Sequence, residues 1–396
     1  MFNRGIKAEH VLQPGGGLAT PPPLALYVHI PWCVRKCPYC DFNSHPVHGS
    51  LPEEAYLQAL DRDLTAALPL VWGREVDTIF IGGGTPSLFT AESIDRLLTL
   101  ARTLLPVRPW AEITLEANPG TFEVERFQGY RAAGVNRLSL GIQSFNRRHL
   151  QALGRIHDER QAHVAVETAM KLFERVNVDL MYALPGQTLA EAEADLRAAL
   201  DCGPAHLSAY HLTLEPNTAF AADPPSLPDA DLAADMQEAV ETTLVGAGYE
   251  HYETSAYARA GQRCRHNLNY WQFGDYLGIG AGAHSKLSFH DRIVRQARVK
   301  HPRQYLALAG SAQAIAEERQ VGRHELPFEF MMNALRLTAG VPKALFPART
   351  GLLLTTVSHP LAMAERLGLI EPDLTHIRPT ERGRRYLNDL LQLFLD

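Results

Sequence analysis

No apolar run in the 396 residues approaches the roughly 20 that a membrane-spanning helix needs, so no transmembrane segment is expected. There is no basic excess either. Lys and Arg number 38 against 44 Asp and Glu, a formal charge of -6, which argues against a nucleic-acid binder that works by broad phosphate neutralisation. The first 23 residues lack the basic start and apolar core of a secretory signal, and Gly15-Gly16-Gly17 and Pro21-Pro22-Pro23 read instead as a flexible tail. Cysteine is scarce, five in all, and three of the five fall in one cluster. Clustered thiols would be lost to disulfides outside the cell, so a reducing, cytoplasmic setting is expected. No internal repeat stands out beyond an alternation of short apolar runs with longer amphipathic ones.

That alternation is what the chain does have. The candidate strands are 24–30, 78–81, 112–117, 137–142, 177–182 and 206–214, each followed by a helix candidate. After the first strand, Tyr56, Leu57, Leu60, Leu64 and Ala67 recur at helical spacing behind Pro52-Glu53-Glu54, and segments near 91–104, 157–175 and 188–201 repeat the pattern. Six β-α units in about 190 residues predict a partial (β/α)6 barrel, with an open doubly wound sheet as the alternative that periodicity does not separate from it. The expected division is a tail over 1–23, the barrel over 24–300, and a smaller, mostly helical, winged-helix-like domain over 301–396. The order in that last part is helix, turn, helix (361–367), hairpin (370–377) and a final helix (378–395).

The chemistry-bearing residues follow the strands. Cys33, Cys37 and Cys40, spaced C-x3-C-x2-C, leave the end of the first strand, where α/β folds keep their active sites. Three thiolates on one loop leave a coordination position open. A structural zinc site would be completed by His45 or His48, a redox dithiol would use two of the three cysteines, and an iron–sulfur cluster would leave one iron open to another ligand. The later loops are Gly82-Gly83-Gly84-Thr85-Pro86, Glu116-Ala117-Asn118-Pro119-Gly120, Gln143-Ser144 and Leu184-Pro185-Gly186-Gln187-Thr188, and a barrel gathers all of them on one face.

The cysteine triad with the Gly-Gly-Gly-Thr-Pro loop resembles the radical S-adenosylmethionine superfamily. The resemblance implies a [4Fe–4S] cluster on Cys33, Cys37 and Cys40, with the amino and carboxylate groups of S-adenosylmethionine on the fourth iron. Glycines 82–84 would then allow a close approach of that cofactor, and their N–H groups would meet its carboxylate as a nest does. Tyr27-Val28-His29-Ile30-Pro31-Trp32-Cys33, Cys37-Pro38-Tyr39-Cys40-Asp41-Phe42, Gly141-Ile142-Gln143-Ser144-Phe145, Leu153-Gly154-Arg155 and Asp179-Leu180-Met181-Tyr182-Ala183-Leu184-Pro185-Gly186-Gln187-Thr188 narrow the likeness to the oxygen-independent coproporphyrinogen III dehydrogenase family. By motif, the resemblance implies S-adenosylmethionine contacts at Tyr27, Tyr39, Gly83, Gly84, Thr85, Glu116, Gln143, Arg155 and Asp179, with Arg155 pairing with the carboxylate and Glu116 or Asp179 accepting from the ribose or the amino group.

Two departures matter. The dehydrogenases carry a fourth cysteine where this chain has Phe42, and a longer extension ahead of the first strand. Both resemble the sister branch of HemW heme chaperones, which keep the cluster but bind heme and deliver it to hemoproteins. The implied partners are therefore heme and client hemoproteins, with peripheral membrane association through those clients and a homodimer as open options. The alternative function is the enzyme's own, radical oxidative decarboxylation of coproporphyrinogen III to protoporphyrinogen IX. A heme site needs an axial ligand and an apolar wall. His266, Tyr270 and Trp271 offer both, against the plainer reading of a capping histidine beside core aromatics; His284 is a second candidate ligand. Gly278-x-Gly280-x-x-Ala283 formally matches a dinucleotide fingerprint, but no amphipathic helix follows, so tight turns are expected there. Cys202 and Cys264 are expected to be ordinary thiols.

Overall fold

A computed structural model of the chain describes residues 17–120 and 124–395. The first strand, β1 (Leu24–Ile30), is buried along its whole length apart from half-buried Tyr27. A continuous apolar run of that kind belongs in the interior of a parallel sheet, covered on both faces. It lies there. With β2 (Val76–Gly83), β3 (Val107–Ala117), β4 (Arg137–Gln143), β5 (Arg175–Tyr182) and β6 (His206–His211) it forms consecutive parallel neighbours in chain order. A doubly wound sheet would reverse its strand order part-way. The uninterrupted order settles the choice for the partial barrel.

The helices between the strands show why the sequence folds this way. In α1 (Glu53–Ala67), Tyr56, Leu57, Leu60 and Leu64 are buried, and Glu53 and Glu54 sit in the first turn, where the helix dipole favours them. After α2 (Ala91–Leu104) and α3 (Phe127–Ala133) come α4 (Glu159–Leu172) and α5 (Leu189–Cys202). Asp158 with Gln161, and Thr188 with Glu191, form reciprocal capping boxes that start the last two helices. A longer helix, α6 (Ala230–Gly246), then closes the repeat.

The sheet extends further than the six units at both edges, a part of the fold the alternation did not signal. β7 (Glu250–Glu253) and β8 (Ala256–Ala258) add antiparallel to β6. On the other side β9 (Asp275–Ile279), reached through the short helix α7 (Arg265–Trp271), runs parallel to β1. β10 (His284–Ser288), β11 (Ile293–Arg298) and β12 (Ile315–Gln320) then continue antiparallel, giving twelve strands among the described residues. The sheet thus runs past the expected boundary at residue 300. These edge strands are short, which is why a reading built on longer apolar runs passes over them.

The carboxyl-terminal unit has its own apolar core, with Phe330, Met331, Phe346, Val357, Ile377 and Leu390 buried together. Its first helix is α8 (Leu326–Ala334). The expected hairpin over 370–377 is absent as such: Ile370 bridges to Pro379, whereas His376 and Ile377 pair with Pro342 and Val341. The expected final helix is broken at Tyr386 into 381–385 and 387–392. Phe273 and Ile293 of the barrel region join this second core, and Arg336 reaches Glu253 (Nη2–Oε2 3.2 Å), so the two units are firmly seated on one another. The expected tail is not free throughout. Leu18 is buried in the second core and its N–H donates to the His290 carbonyl, while residues 1–16 of that tail lie outside the described residues.

Candidate functional site

The cysteine loop and the ends of β2 to β5 meet at one mouth of the barrel. A cavity of about 160 Å³ there is lined by Cys33, Cys37 and Cys40, and the same cavity takes in Tyr39, Gly83, Gly84, Thr85, Glu116, Gln143, Arg155 and Asp179. The structure therefore brings together all but one of the positions implied for the cluster and S-adenosylmethionine. The exception is Tyr27, which points its hydroxyl at His29 Nδ1 (2.9 Å) and lines a second, larger cavity.

Each sulfur has a hydrogen-bonding neighbour. Thr85 Oγ1 donates to Cys33 Sγ at 3.2 Å, Arg155 Nη1 to Cys37 Sγ at 3.6 Å, and Ser44 Oγ lies 3.8 Å from Cys40 Sγ. Burial pushes the Cys33 thiol up to about 11 and the Cys40 thiol in the same direction, so a metal must displace protons to bind here. Among the described residues no three His, Cys, Asp or Glu side chains close on one point as a single ion requires. A [4Fe–4S] cluster places each thiolate on its own iron and suits three sulfurs spread along a loop. His45, one of the zinc alternatives, is engaged with Asn43 Oδ1 (3.2 Å) and set edge-on against His301; His48 is exposed.

The carboxylates and Arg155 define the rest of this cavity. Asp179 accepts from Asn177 Nδ2 (2.8 Å) and Ser139 Oγ (3.2 Å), and burial raises its pKa. Glu116 is pushed up to about 8, first by burial and then by the neighbouring Asp179. Arg155 Nη2 donates to Asn118 Oδ1 and to the Gly141 carbonyl, both at 2.7 Å, while its buried Nε has no partner. A buried guanidinium with an N–H left over fits an anionic group that the chain itself does not provide. Gln143 holds a left-handed backbone (φ 69°) at the end of β4, and Ala183 another (φ 57°) just past β5. Such strain in non-glycine residues gathers at functional sites.

The glycine loop works differently from the nest expected of it. Gly83 N–H donates to Glu116 Oε2 (3.0 Å), Gly84 N–H to the Ile30 carbonyl (2.7 Å) and Thr85 N–H to the Trp32 carbonyl (2.7 Å). These amides are spent within the protein. The glycines are required because a Cβ at Gly84 would sit 2.6 Å from the Trp32 carbonyl oxygen, and one at Gly83, itself at φ +115°, would strike the His29 ring at 2.7 Å. They let β2 lie against the root of the cysteine loop.

The second cavity, about 770 Å³, opens beside the first and shares Phe42, Ser44, Gly83 and Glu116 with it. Tyr270 and Trp271 line it. His266 does not. It is 1% exposed, with Nδ1 2.8 Å from Thr78 Oγ1 and Nε2 2.8 Å from the Tyr270 hydroxyl, and its backbone N–H donates to Glu112. Burial, aided by Arg137, lowers its pKa to about 3. In this arrangement the histidine holds Tyr270 in place from behind the cavity wall. The glycine run 278–283 forms tight turns as expected, with positive φ at Gly280 and Gly282. Ser139, inside β4, is a site residue that sequence reasoning did not single out, and Asn118 lay in the loop after β3 that the sequence marked without a role of its own.

Comparison with known proteins accords with this geometry. The profile described as the Radical SAM superfamily matches residues 27–199, and that described as the HemN C-terminal domain matches 321–386. The chain is 49% identical over 376 residues to a protein of Escherichia coli named "Heme chaperone HemW", covering 94% of this chain and 98% of that one. It is 50% identical over 380 residues to the protein of the same name from Haemophilus influenzae, with the same coverage. Among solved structures, the coproporphyrinogen III oxidase HemN from Escherichia coli, described as a radical SAM enzyme, matches with a TM-score of 0.80 at 25% identity, covering 94% of this chain and 90% of that one. The chain belongs to the HemW family of radical SAM proteins.

Proposed function

We propose that this chain is a heme chaperone, which binds heme beside a [4Fe–4S] cluster and S-adenosylmethionine and hands the heme to client hemoproteins in the cytoplasm. One observation carries the reading: a large aromatic-walled cavity adjoins the cysteine pocket, and exposed Phe42, not a fourth cysteine, stands where the two meet. The near-identical extent of the curated heme chaperones supports it. Cys33, Cys37 and Cys40 would hold the cluster, and Arg155, Glu116, Gln143 and Asp179 would surround the methionine end and ribose of the nucleoside. Bound there, the pair supplies one-electron chemistry. Arg155 neutralises charge on the sulfur side and offers its free Nε–H to a carboxylate, while Glu116 and Asp179 face the cationic part of the ligand. No helix among the described residues is long and apolar enough to cross a membrane.

The likeness to HemN favours a second reading, an enzyme that decarboxylates coproporphyrinogen III. The two part in one anaerobic experiment on the reconstituted chain with S-adenosylmethionine and a reductant. The chaperone binds heme at about one per chain and makes no protoporphyrinogen. Sustained protoporphyrinogen formation would replace this reading with the enzyme's.

A further inference from the structure

The 770 Å³ cavity has features that the cluster pocket does not use. Three histidines border it, and two are occupied. His29 contacts the Tyr27 hydroxyl through Nδ1 and the Asn43 carbonyl through Nε2, both at 2.9 Å. His45 is bound to Asn43 and packed on His301. His284 is different. It is exposed at the start of β10, and neither of its ring nitrogens has a hydrogen-bond partner. Its backbone is nonetheless rigid: it pairs with Ala297, and β9 packs so closely against it that a Cβ at Gly278 would meet the His284 carbonyl oxygen at 2.0 Å. Two residues on, Lys286 is buried and paired with Asp275 (3.0 Å), which pins the strand.

The cavity walls sort by chemistry. Tyr270, Trp271, Tyr276 and Phe42 give flat aromatic surface, and Met332 from α8 lines the same space from the carboxyl-terminal unit. Four cations border it, of which two are satisfied internally, Lys286 by Asp275 and Arg295 by Glu329. Lys36 and Lys300 are exposed and form no ion pair, though Lys36 Nζ donates to the Phe42 carbonyl at 3.3 Å. An aromatic slot with a free imidazole and two ammonium groups that have no carboxylate partner suits a flat metal macrocycle that carries two carboxylates.

Resting on the heme-chaperone reading, we propose that heme occupies this cavity between the barrel and the carboxyl-terminal unit, with His284 as an axial ligand of its iron and Lys36 and Lys300 pairing with its propionates. The location also links the two pockets. Heme in this cavity would touch Phe42 and Glu116 at the edge of the cluster pocket, so occupancy of one pocket can be sensed in the other.

The test titrates heme into the full chain, anaerobically reconstituted, as wild type, His284→Ala, His284→Gln, His266→Gln and Lys36→Glu/Lys300→Glu. Iron and sulfide content serves as the check on folding. Both His284 variants are expected to bind heme about tenfold or more weakly and with a shifted Soret band. Added imidazole should restore the wild-type spectrum in His284→Ala, which a merely structural role would not allow. The double lysine variant should weaken binding without changing the ligand-sensitive spectrum, and His266→Gln should keep that spectrum. Unchanged affinity and spectrum in both His284 variants would overturn the assignment while leaving the chaperone reading intact. A wild-type chain that takes up no heme would overturn both.

Discussion

His266 Nε2 and the Tyr270 hydroxyl lie 2.8 Å apart, one helical turn from each other on α7, and Thr78 closes the other ring nitrogen from β2. The pair ties α7 to the barrel wall and presents Tyr270, not the imidazole, to the large cavity. His266→Ala should therefore act first on stability. Loss of a buried ring and of two hydrogen bonds is expected to cost about 2–4 kcal/mol, measured as a lower denaturation midpoint with an unchanged slope. His266→Gln should recover part of that loss.

Phe42 makes the opposite prediction. It is 60% exposed and stands where the two cavities join. Phe42→Ala should leave stability within about 0.5 kcal/mol of wild type. It should weaken heme binding several-fold, about 1 kcal/mol, through the lost aromatic face. Equilibrium heme titration alongside thermal unfolding separates the two effects.

Arg155 is expected to be intolerant even of lysine. Its fork engages Asn118, the Gly141 carbonyl and Cys37, and its Nε–H is the unpaired donor. An ammonium cannot serve those directions at once. Arg155→Lys should weaken S-adenosylmethionine binding by about tenfold to a hundredfold, on the order of 1.5–3 kcal/mol. Equilibrium dialysis of the reconstituted protein reads this directly.

Glu116 gives the binding site a pH dependence. Its carboxyl, held up to about 8 by burial and by Asp179, is mostly protonated at neutral pH in the empty chain. A cationic ligand favours the carboxylate, so binding S-adenosylmethionine releases a proton and affinity rises from pH 6.5 towards 8.5. Glu116→Gln should flatten that profile. The sign for the empty fold is the reverse: the folded state keeps a proton that the unfolded chain gives up, so stability falls as pH climbs from the ordinary carboxyl range to about 8.

The residues that were legible in the sequence are those whose role is local. The thiol spacing, the Gly-Gly-Gly-Thr-Pro loop and the apolar run of β1 depend on near neighbours, and Cys33, Gly84 and Arg155 do meet in one pocket. What the glycines do there was not legible, because the groups that consume their amides, Glu116 Oε2 for Gly83 and the Ile30 carbonyl for Gly84, arrive from other strands. His266 looked like a ligand because Tyr270 and Trp271 follow it at helical spacing; Thr78, nearly two hundred residues earlier, decides that its ring is closed. His284 shows the converse. After a glycine run it has no periodic signature and ranks only as a second candidate in the sequence, and its place in the cavity wall emerges only when β9, β10 and α8 come together. The edge strands β7 to β12 escaped for a related reason: each is stabilised by its neighbours rather than by a long apolar run of its own.

Heme transfer tests the central claim most directly. The anaerobically reconstituted chain, loaded with heme, is mixed with an apo-hemoprotein, separated, and both fractions are read by their absorption spectra. The account predicts that heme leaves this chain and appears in the acceptor with the acceptor's own spectrum, with the iron–sulfur content of the donor unchanged. Heme that never binds, or that stays on this chain while an acceptor in excess remains empty, would contradict it.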